Sequence, residues 1–348
     1  MRRAGLMSTV VIVALMTGVT APAVAVDGVT EVCTFTDERF TEISGMTYSQ
    51  QHDDVIYLHN DSSGGPLVYA VDARTCETLA TLTIDGIEAR DIEAIASGRN
   101  AKGRPVLWVG DIGDNRSSWP EVRLHRVREP KVLRDRTLSA RTYRFTYPDR
   151  PLNAEALLAD PDSTRVWVVT KQLAKGTMYA LPQRMSRSEV NVATAVTSTG
   201  ALVTDGSVSP DGTRFALRDY VDAEVYAGLP PGEDPQTVYL PLQLQGEAMT
   251  WTQDGGALLV ASERDDRLLR VDLPVQSRAG AAPSASATPS PNGETLPAAD
   301  AAEGPQLTAG EGGQWPGLVL AGVLLLAAVA VIATAEWARR RTTDAREG

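Results

Sequence analysis

From residue 26 to residue 274, short apolar runs alternate with polar turns and never lengthen into a helical period. One of them, RDIEAIA (Arg90–Ala96), carries Glu93 among Ile92, Ala94 and Ile95. A carboxylate in an apolar strand is costly, so its recurrence is informative. Asn153–Lys171 and Gln245–Glu263 repeat the form with Glu155 and Glu247: Glu, a small residue, apolar residues, a polar turn, a second apolar strand. Glu42–Asp61 fits with Ser44 in that place, and Asp205–Tyr220 with Ser207. Third strands are expected at Leu67–Asp72, Val122–Glu129, Thr177–Pro182, Ala223–Pro230 and Arg267–Pro274, and fourth strands at Thr78–Asp85, Thr142–Tyr147, Val192–Thr199 and Thr237–Leu242. The fifth unit lacks a fourth strand, while Glu31–Asp37 is left over at the start.

A repeat near fifty residues with four short strands per unit predicts an all-β protein, a β-propeller of five four-stranded blades closed by the N-terminal strand. Six or seven blades, or a β-sandwich, are the alternatives. The two cysteines, Cys33 on the closing strand and Cys76 beside the outer strand of the first blade, are expected to form a disulfide that latches the ring.

The ends read differently. Arg2 and Arg3, the apolar run Leu6–Met16 and Ala23-Val24-Ala25 form a signal-peptide pattern over residues 1–25. Residues 275–315 are rich in Ala, Pro and Ser and read as a disordered tether, with an r.m.s. reach of roughly 35 Å. Residues 316–337 contain the uncharged stretch Gly317–Ala335, roughly 28 Å long as a helix, which predicts one transmembrane span. The basic tail 338–348, with Arg339, Arg340 and Arg341, is then cytoplasmic, and the propeller at 26–274 lies on the extracytoplasmic side of the cell membrane. A formal net charge of −11 argues against nucleic acid as a partner and suits bound cations.

In a propeller the first strand of each blade lines the channel, so Ser44, Glu93, Glu155, Ser207 and Glu247 should converge near the axis. Oxygen ligands alone, three of them acidic, suit a hard cation, and outside a cell that means calcium; a water-filled polar channel is the alternative. The second strands end on the same face with Asn60, Asp61, Asp111, Lys171, Arg218 and Glu263 beside Arg264. There, VGDIGDN (Val109–Asn115) groups Asp111, Asp114 and Asn115 around Gly113, too short for a calcium loop and compatible with a polar turn. Lys171, Arg218 and Arg264 above a bound metal would suit a phosphate or carboxylate ligand. His59 is a candidate general base or a loop histidine, and Asp91 either pairs with Glu93 or forms a turn. No Gly-x-Ser-x-Gly, His-Glu-x-x-His or P-loop pattern occurs.

The order Ser, Glu, Glu, Ser, Glu, one per blade, resembles the calcium-activated nucleotidases, or soluble apyrases, as do PVLWVGDIGDN and GSVSPDGTRFALRD with Arg218 ending its strand. That resemblance implies a calcium ion at the channel and hydrolysis of nucleoside di- and triphosphates. The family's other substrate-binding segments have no counterpart located in this chain. Asp91–Pro130 (DIEAIA…GDIGDN…EP) resembles uncharacterised secreted bacterial propellers and, more loosely, phytase-like esterase propellers. Two functions are therefore expected. One is a membrane-held binding or scaffold module with channel calcium, facing an extracytoplasmic ligand or protein partner. The other is a calcium-dependent hydrolase of phosphate esters or anhydrides, using Asp91, Lys171 and Arg218. The lack of a convincing nucleophile or general base favours the first.

Overall fold

Strands that are apolar on both faces must be covered on both sides. The computed structural model, which describes residues 28–61, 65–232 and 234–274, meets that demand with five separate sheets and no helix among the described residues. Blade 1 is β2 (Ile43–Tyr48), β3 (Val55–Asn60), β4 (Leu67–Asp72) and β5 (Thr78–Asp85). Blade 2 is β6 (Ile92–Arg99), β7 (Pro105–Asp111), β8 (Val122–Arg128) and β10 (Arg141–Thr146). Blade 3 is β11 (Ala154–Ala159), β12 (Val166–Thr170), β13 (Thr177–Ala180) and β15 (Thr194–Ser198). Blade 4 is β16 (Asp205–Val208), β17 (Arg214–Arg218), β18 (Asp222–Ala227) and β19 (Gln236–Tyr239).

Blade 5 is assembled from both ends of the described chain. β20 (Ala248–Trp251), β21 (Ala257–Ser262) and β22 (Asp265–Asp272) are completed by β1 (Val29–Thr34), antiparallel to β22 from Val29 opposite Val271 to Thr34 opposite Arg267. The inner strands β2, β6, β11, β16 and β20 each adjoin the next, and β20 returns to β2. The ring has five blades, not six or seven, and is not a sandwich.

The core is accordingly five layers, one per blade interface. Tyr57 and Leu82 meet Leu107 and Val109 between blades 1 and 2, and Trp108 and Phe145 meet Leu157 and Val168 between blades 2 and 3. Trp167 and Val169 meet Phe215 and Leu217 at the next interface. Ala216 and Val225 meet Trp251 and Leu258, and Leu259 and Ala261 meet Met46 and Leu58. Each layer excludes water from two sheets at once, at about 25 cal/mol per Å² of apolar surface.

Two strands differ from the sequence expectation. β9 (Arg136–Ser139) and β14 (Asn191–Val192) pair in parallel with β5 and β10, the outer strands of the preceding blades. Both lie just upstream of their own blade's outer strand. β9 is carried by the charged run KVLRDRTLSAR and only half-buries one face, through Leu138, so hydrophobic alternation gives little sign of it. The expected strand Val192–Thr199 is split for the same reason, its first residue belonging to the neighbouring sheet.

The expected signal peptide (1–25), tether (275–315), membrane span (316–337) and tail (338–348) lie outside the described residues. Among the described residues no helix is long and apolar enough to cross a membrane.

The disulfide Cys33–Cys76 joins the closing strand to the turn before β5, with Cα atoms 5.7 Å apart. Its 43-residue separation predicts a loop-entropy contribution of about 3–4 kcal/mol. Replacing both cysteines with serine should lower the free energy of unfolding by that amount, and unfolding curves in urea, with and without reductant, check it.

Candidate functional site at the mouth of the channel

The awkward carboxylates are placed by a backbone device. At the start of β2, β6 and β11 the ladder to the second strand skips one residue, and the skipped residues are Ser44, Glu93 and Glu155. A bulge leaves its residue unpaired and re-aims the side chain. Ser44 Oγ donates to Glu93 Oε2 at 3.3 Å, while Glu155 is held by Lys171 Nζ at 2.6 Å and by Asn153 Nδ2 at 3.3 Å. Glu247 stands one residue ahead of β20 and accepts from Tyr220 Oη at 3.1 Å. Lys171 also donates to Tyr220 Oη at 2.7 Å and lies 4.0 Å from Glu247. Blades 3, 4 and 5 are thus connected by the chain Glu155–Lys171–Tyr220–Glu247.

Acid gathers on the opposite side of the mouth. One oxygen from each of Asp61, Asp91 and Glu93 lies within 4.8 Å of the others. Burial, followed by the charges of Glu155, Asp61, Asp91 and Glu247, drives the Glu93 carboxyl well above the usual range. Burial and Glu247 push the half-buried Glu263 up to about 9. Glu155 rises to about 7 through burial, opposed by Lys171. Lys171 reaches Glu155 and Glu247, and the charges of Glu155, Tyr220 and Glu247 hold its ammonium well above its ordinary value despite burial. Gly113 allows the loop after β7 to close over them: a Cβ there would lie 2.4 Å from Asp91 Oδ2 and 2.7 Å from Glu93 Cγ.

Ser207 does not join Ser44, Glu93, Glu155 and Glu247. Its Oγ lies 3.3 Å from Thr250 Oγ1, which accepts from Tyr48 N, so it sits further along the channel. Blade 4 has no bulge, and Asp205 takes the first position of β16 opposite Arg218. Its buried carboxylate accepts from Gly206 N and Met249 N, both at 2.7 Å, and from the Met46 backbone, linking blades 4, 5 and 1. Sequence reasoning missed Asp205 because the Ser-for-Glu alignment drew attention two residues too far; its signal was a carboxylate opening an apolar strand. Tyr220 was also missed.

Several rim candidates have structural duties. Arg218 is 1% exposed and donates to Ala248 O, Ala261 O, Asp219 O and Gln243 Oε1, so it clamps blade 4 to blade 5 instead of facing a ligand. Burial lowers it to about 10. Asp111 is buried and accepts from Arg90 N and Asp91 N at 3.1 and 2.8 Å, fixing the chain that delivers Glu93. Asp114 accepts from Ser118 N and Trp119 N, which makes VGDIGDN the polar turn. Asn60 donates to Arg39 O at 2.6 Å. His59 is 1% exposed, so it does not reach the rim as a base, and the same burial lowers it to about 4. Arg264 is exposed, beside Glu263 at the turn between β21 and β22.

No family model matches the chain, and no curated protein matches it. Among solved structures, the crystal structure of Chaetomium thermophilum Raptor aligns with 70% of this chain and 28% of that one, at 10% identity and a TM-score of 0.42. A crystal structure of a nidogen/laminin complex aligns with 63% of this chain and 72% of that one, at 15% identity and a TM-score of 0.40. The chain thus spans less than a third of the Raptor chain. Both likenesses are faint, and the five-bladed assignment rests on the sheets described above.

A carboxyl raised in the folded state holds a proton that the unfolded chain has released, so its effect on stability is unfavourable at higher pH. For Glu155 the loss runs from its ordinary 4.5 to about 7, and for Glu263 from 4.5 to about 9. Urea midpoints should fall as pH rises across this window, and Glu263→Gln should flatten the arm between pH 7 and 9.

Proposed function

We propose that this protein is an extracytoplasmic binding or scaffold module, held to the cell membrane by residues 316–337 through the tether 275–315, with a calcium ion at the mouth of its channel. The observation that carries this reading is the meeting of Asp61, Asp91 and Glu93 within 4.8 Å. Calcium takes oxygen ligands at 2.3–2.6 Å, so two oxygens on opposite sides of one ion stand about 5 Å apart. Those three carboxylates, with Ser44 beside Glu93, fit that donor set. Leu173, Val221, Leu242 and Leu244 are exposed in the turns and connection that open on the same face, which supports a contact surface around the mouth.

The alternative, a calcium-dependent phosphate hydrolase of apyrase or phytase type, draws less support. Arg218 is committed to backbone carbonyls, Lys171 to Glu155 and Tyr220, and His59 is buried.

Calcium in about hundredfold excess over its dissociation constant should add about 2.7 kcal/mol, a rise of about 5–10 °C in melting temperature. The rise should vanish with chelator and in Glu93→Gln. Equal melting under all conditions would leave a water-filled channel. Calcium-dependent phosphate release from nucleotides or phosphate esters would instead restore the hydrolase.

A further inference from the structure

Among the described residues, Arg39, Arg90, Arg126, Lys171 and Arg214 lie over aromatic rings, and all but one have an acid at hand. Arg39, over Tyr69, is paired with Asp37 at 2.6 Å. Arg90, over Trp119, meets Asp111 at 3.4 Å, and Lys171, over Tyr220, meets Glu155 at 2.6 Å. Arg214, over Trp251, has the charge of Asp211 acting on it. Arg126 is the exception. Its Cζ lies 5.3 Å from the centre of the Trp108 ring and 5.4 Å from that of Tyr143, and no carboxylate pairs with it among the described residues.

The strand register sharpens the exception. Trp108 on β7 stands opposite Arg126 on β8, which in turn stands opposite Arg141 on β10, so two guanidinium groups share one face of blade 2. Like charges placed directly opposite each other repel. Burial, opposed by Tyr143 and joined by the charges of Arg141 and Arg187, lowers the Arg126 guanidinium from its ordinary value. Aromatic faces attract a cation without neutralising it, which leaves this pair to an anion from outside.

Room for one is present. Arg126, Trp108 and Tyr143 line a groove of about 540 Å³ between blades 2 and 3, beside the β6–β7 turn, at the end of those strands remote from Glu93. The facing wall carries the β11–β12 turn and the chain after β13, with Thr164, Gln183 and Arg184. The side chains of Thr164 and Gln183 make no hydrogen bond among the described residues, and Arg184 is exposed. Asp162, an acid on the lining, is 78% exposed and has its carboxylate 3.9 Å from Arg99 Nε, so its charge is directed to solvent and to another arginine. A groove lined by blade 1 and blade 5 residues also holds two arginines, but there Arg74 pairs with Asp54 at 3.3 Å and Arg270 with Asp272 at 3.2 Å.

We propose that the groove between blades 2 and 3 binds a phosphate monoester, its phosphate seated against Arg126 and within the field of Arg141, with Arg184, Thr164 and Gln183 as further donors. A phosphate monoester carries about −1.5 to −2 charges at neutral pH, which matches the two facing guanidinium groups, whereas a carboxylate carries half as much. Arginine's planar fork bonds two oxygens of such a group at once. The groove falls in the roughly 300–1,000 Å³ range of small-molecule sites, larger than a bare ion needs. The site lies apart from the carboxylate mouth and does not depend on calcium there.

The probe is glycerol 3-phosphate, titrated calorimetrically into the full chain in detergent, in calcium-free buffer of constant ionic strength. Saturable binding in the millimolar range or tighter is expected, with a rise in melting temperature. Arg126→Met, which keeps an unbranched side chain over the two rings, should weaken binding at least about tenfold, the effect of one charge-assisted hydrogen bond. Arg141→Gln, at an exposed position, should weaken it severalfold. Succinate should bind more weakly than the phosphate ester by about tenfold or more, and equal binding would overturn the phosphate assignment. Dihexanoyl phosphatidic acid carries the same group on a lipid: tighter binding than glycerol 3-phosphate would assign the site to a lipid headgroup, equal binding to a free ester. Arg126→Met should keep the calcium-dependent melting, and Glu93→Gln should keep phosphate-ester binding, so failure here is distinguishable from failure of the calcium site. Absence of saturable binding for either phosphate compound, or affinity unchanged in both arginine variants, overturns the proposal. A lower melting temperature for Arg126→Met with unchanged affinity would assign Arg126 to packing alone.

Discussion

Closure of the ring is the constraint on which the rest depends. Inner strands such as β2 and β11 are buried along their whole length, so every blade needs a neighbour on both faces. An open row of five blades would leave two apolar faces in water. Pairing of β1 with β22 prevents this, and the final blade then contains both ends of the described chain. The Cys33–Cys76 bond stands next to that seam, where separation of the chain ends would begin. All five apolar layers are consequently interfaces between blades, none lying within a single sheet.

The same closure forces the polar groups together. Residues that open the inner strands have little room except near the axis, and the bulges at Ser44, Glu93 and Glu155 turn three of them away from their ladders. Buried carboxylates this close repel one another, and the molecule answers in two ways. On the side of blades 3 to 5, Lys171 and Tyr220 supply a cation and a hydroxyl between Glu155 and Glu247. On the side of blades 1 and 2, where Asp61, Asp91 and Glu93 meet within 4.8 Å, burial and the neighbouring charges raise the Glu93 carboxyl well above its usual range. The asymmetry divides the mouth into a half that carries the Lys171 ammonium and a half in which three carboxyl groups approach one another.

Further from the axis, the rim shows a second asymmetry. Blades diverge outward, so their outer strands need additional joints, and the chain supplies them by lap pairing or by a disulfide at three places.

Much of the fold was legible along the chain because its controlling signals are local. Apolar runs of strand length, the polar turns between them, the Glu-small-apolar repeat and the spare strand near Cys33 specify four-stranded units and the manner of their closure, since strand period and turn chemistry depend only on near neighbours. Glu93, Glu155 and Glu247 were legible for the same reason. Hydrogen bonding between distant segments decided the remainder. β9 and β14 exist only through pairing with another blade, Asp205 displaced Ser207 because β16 has no bulge, and Arg218 turned inward to carbonyls that blade 5 brings to it. Local pattern determines which residues form a blade, but the contacts of an individual side chain depend on what the neighbouring blades place beside it.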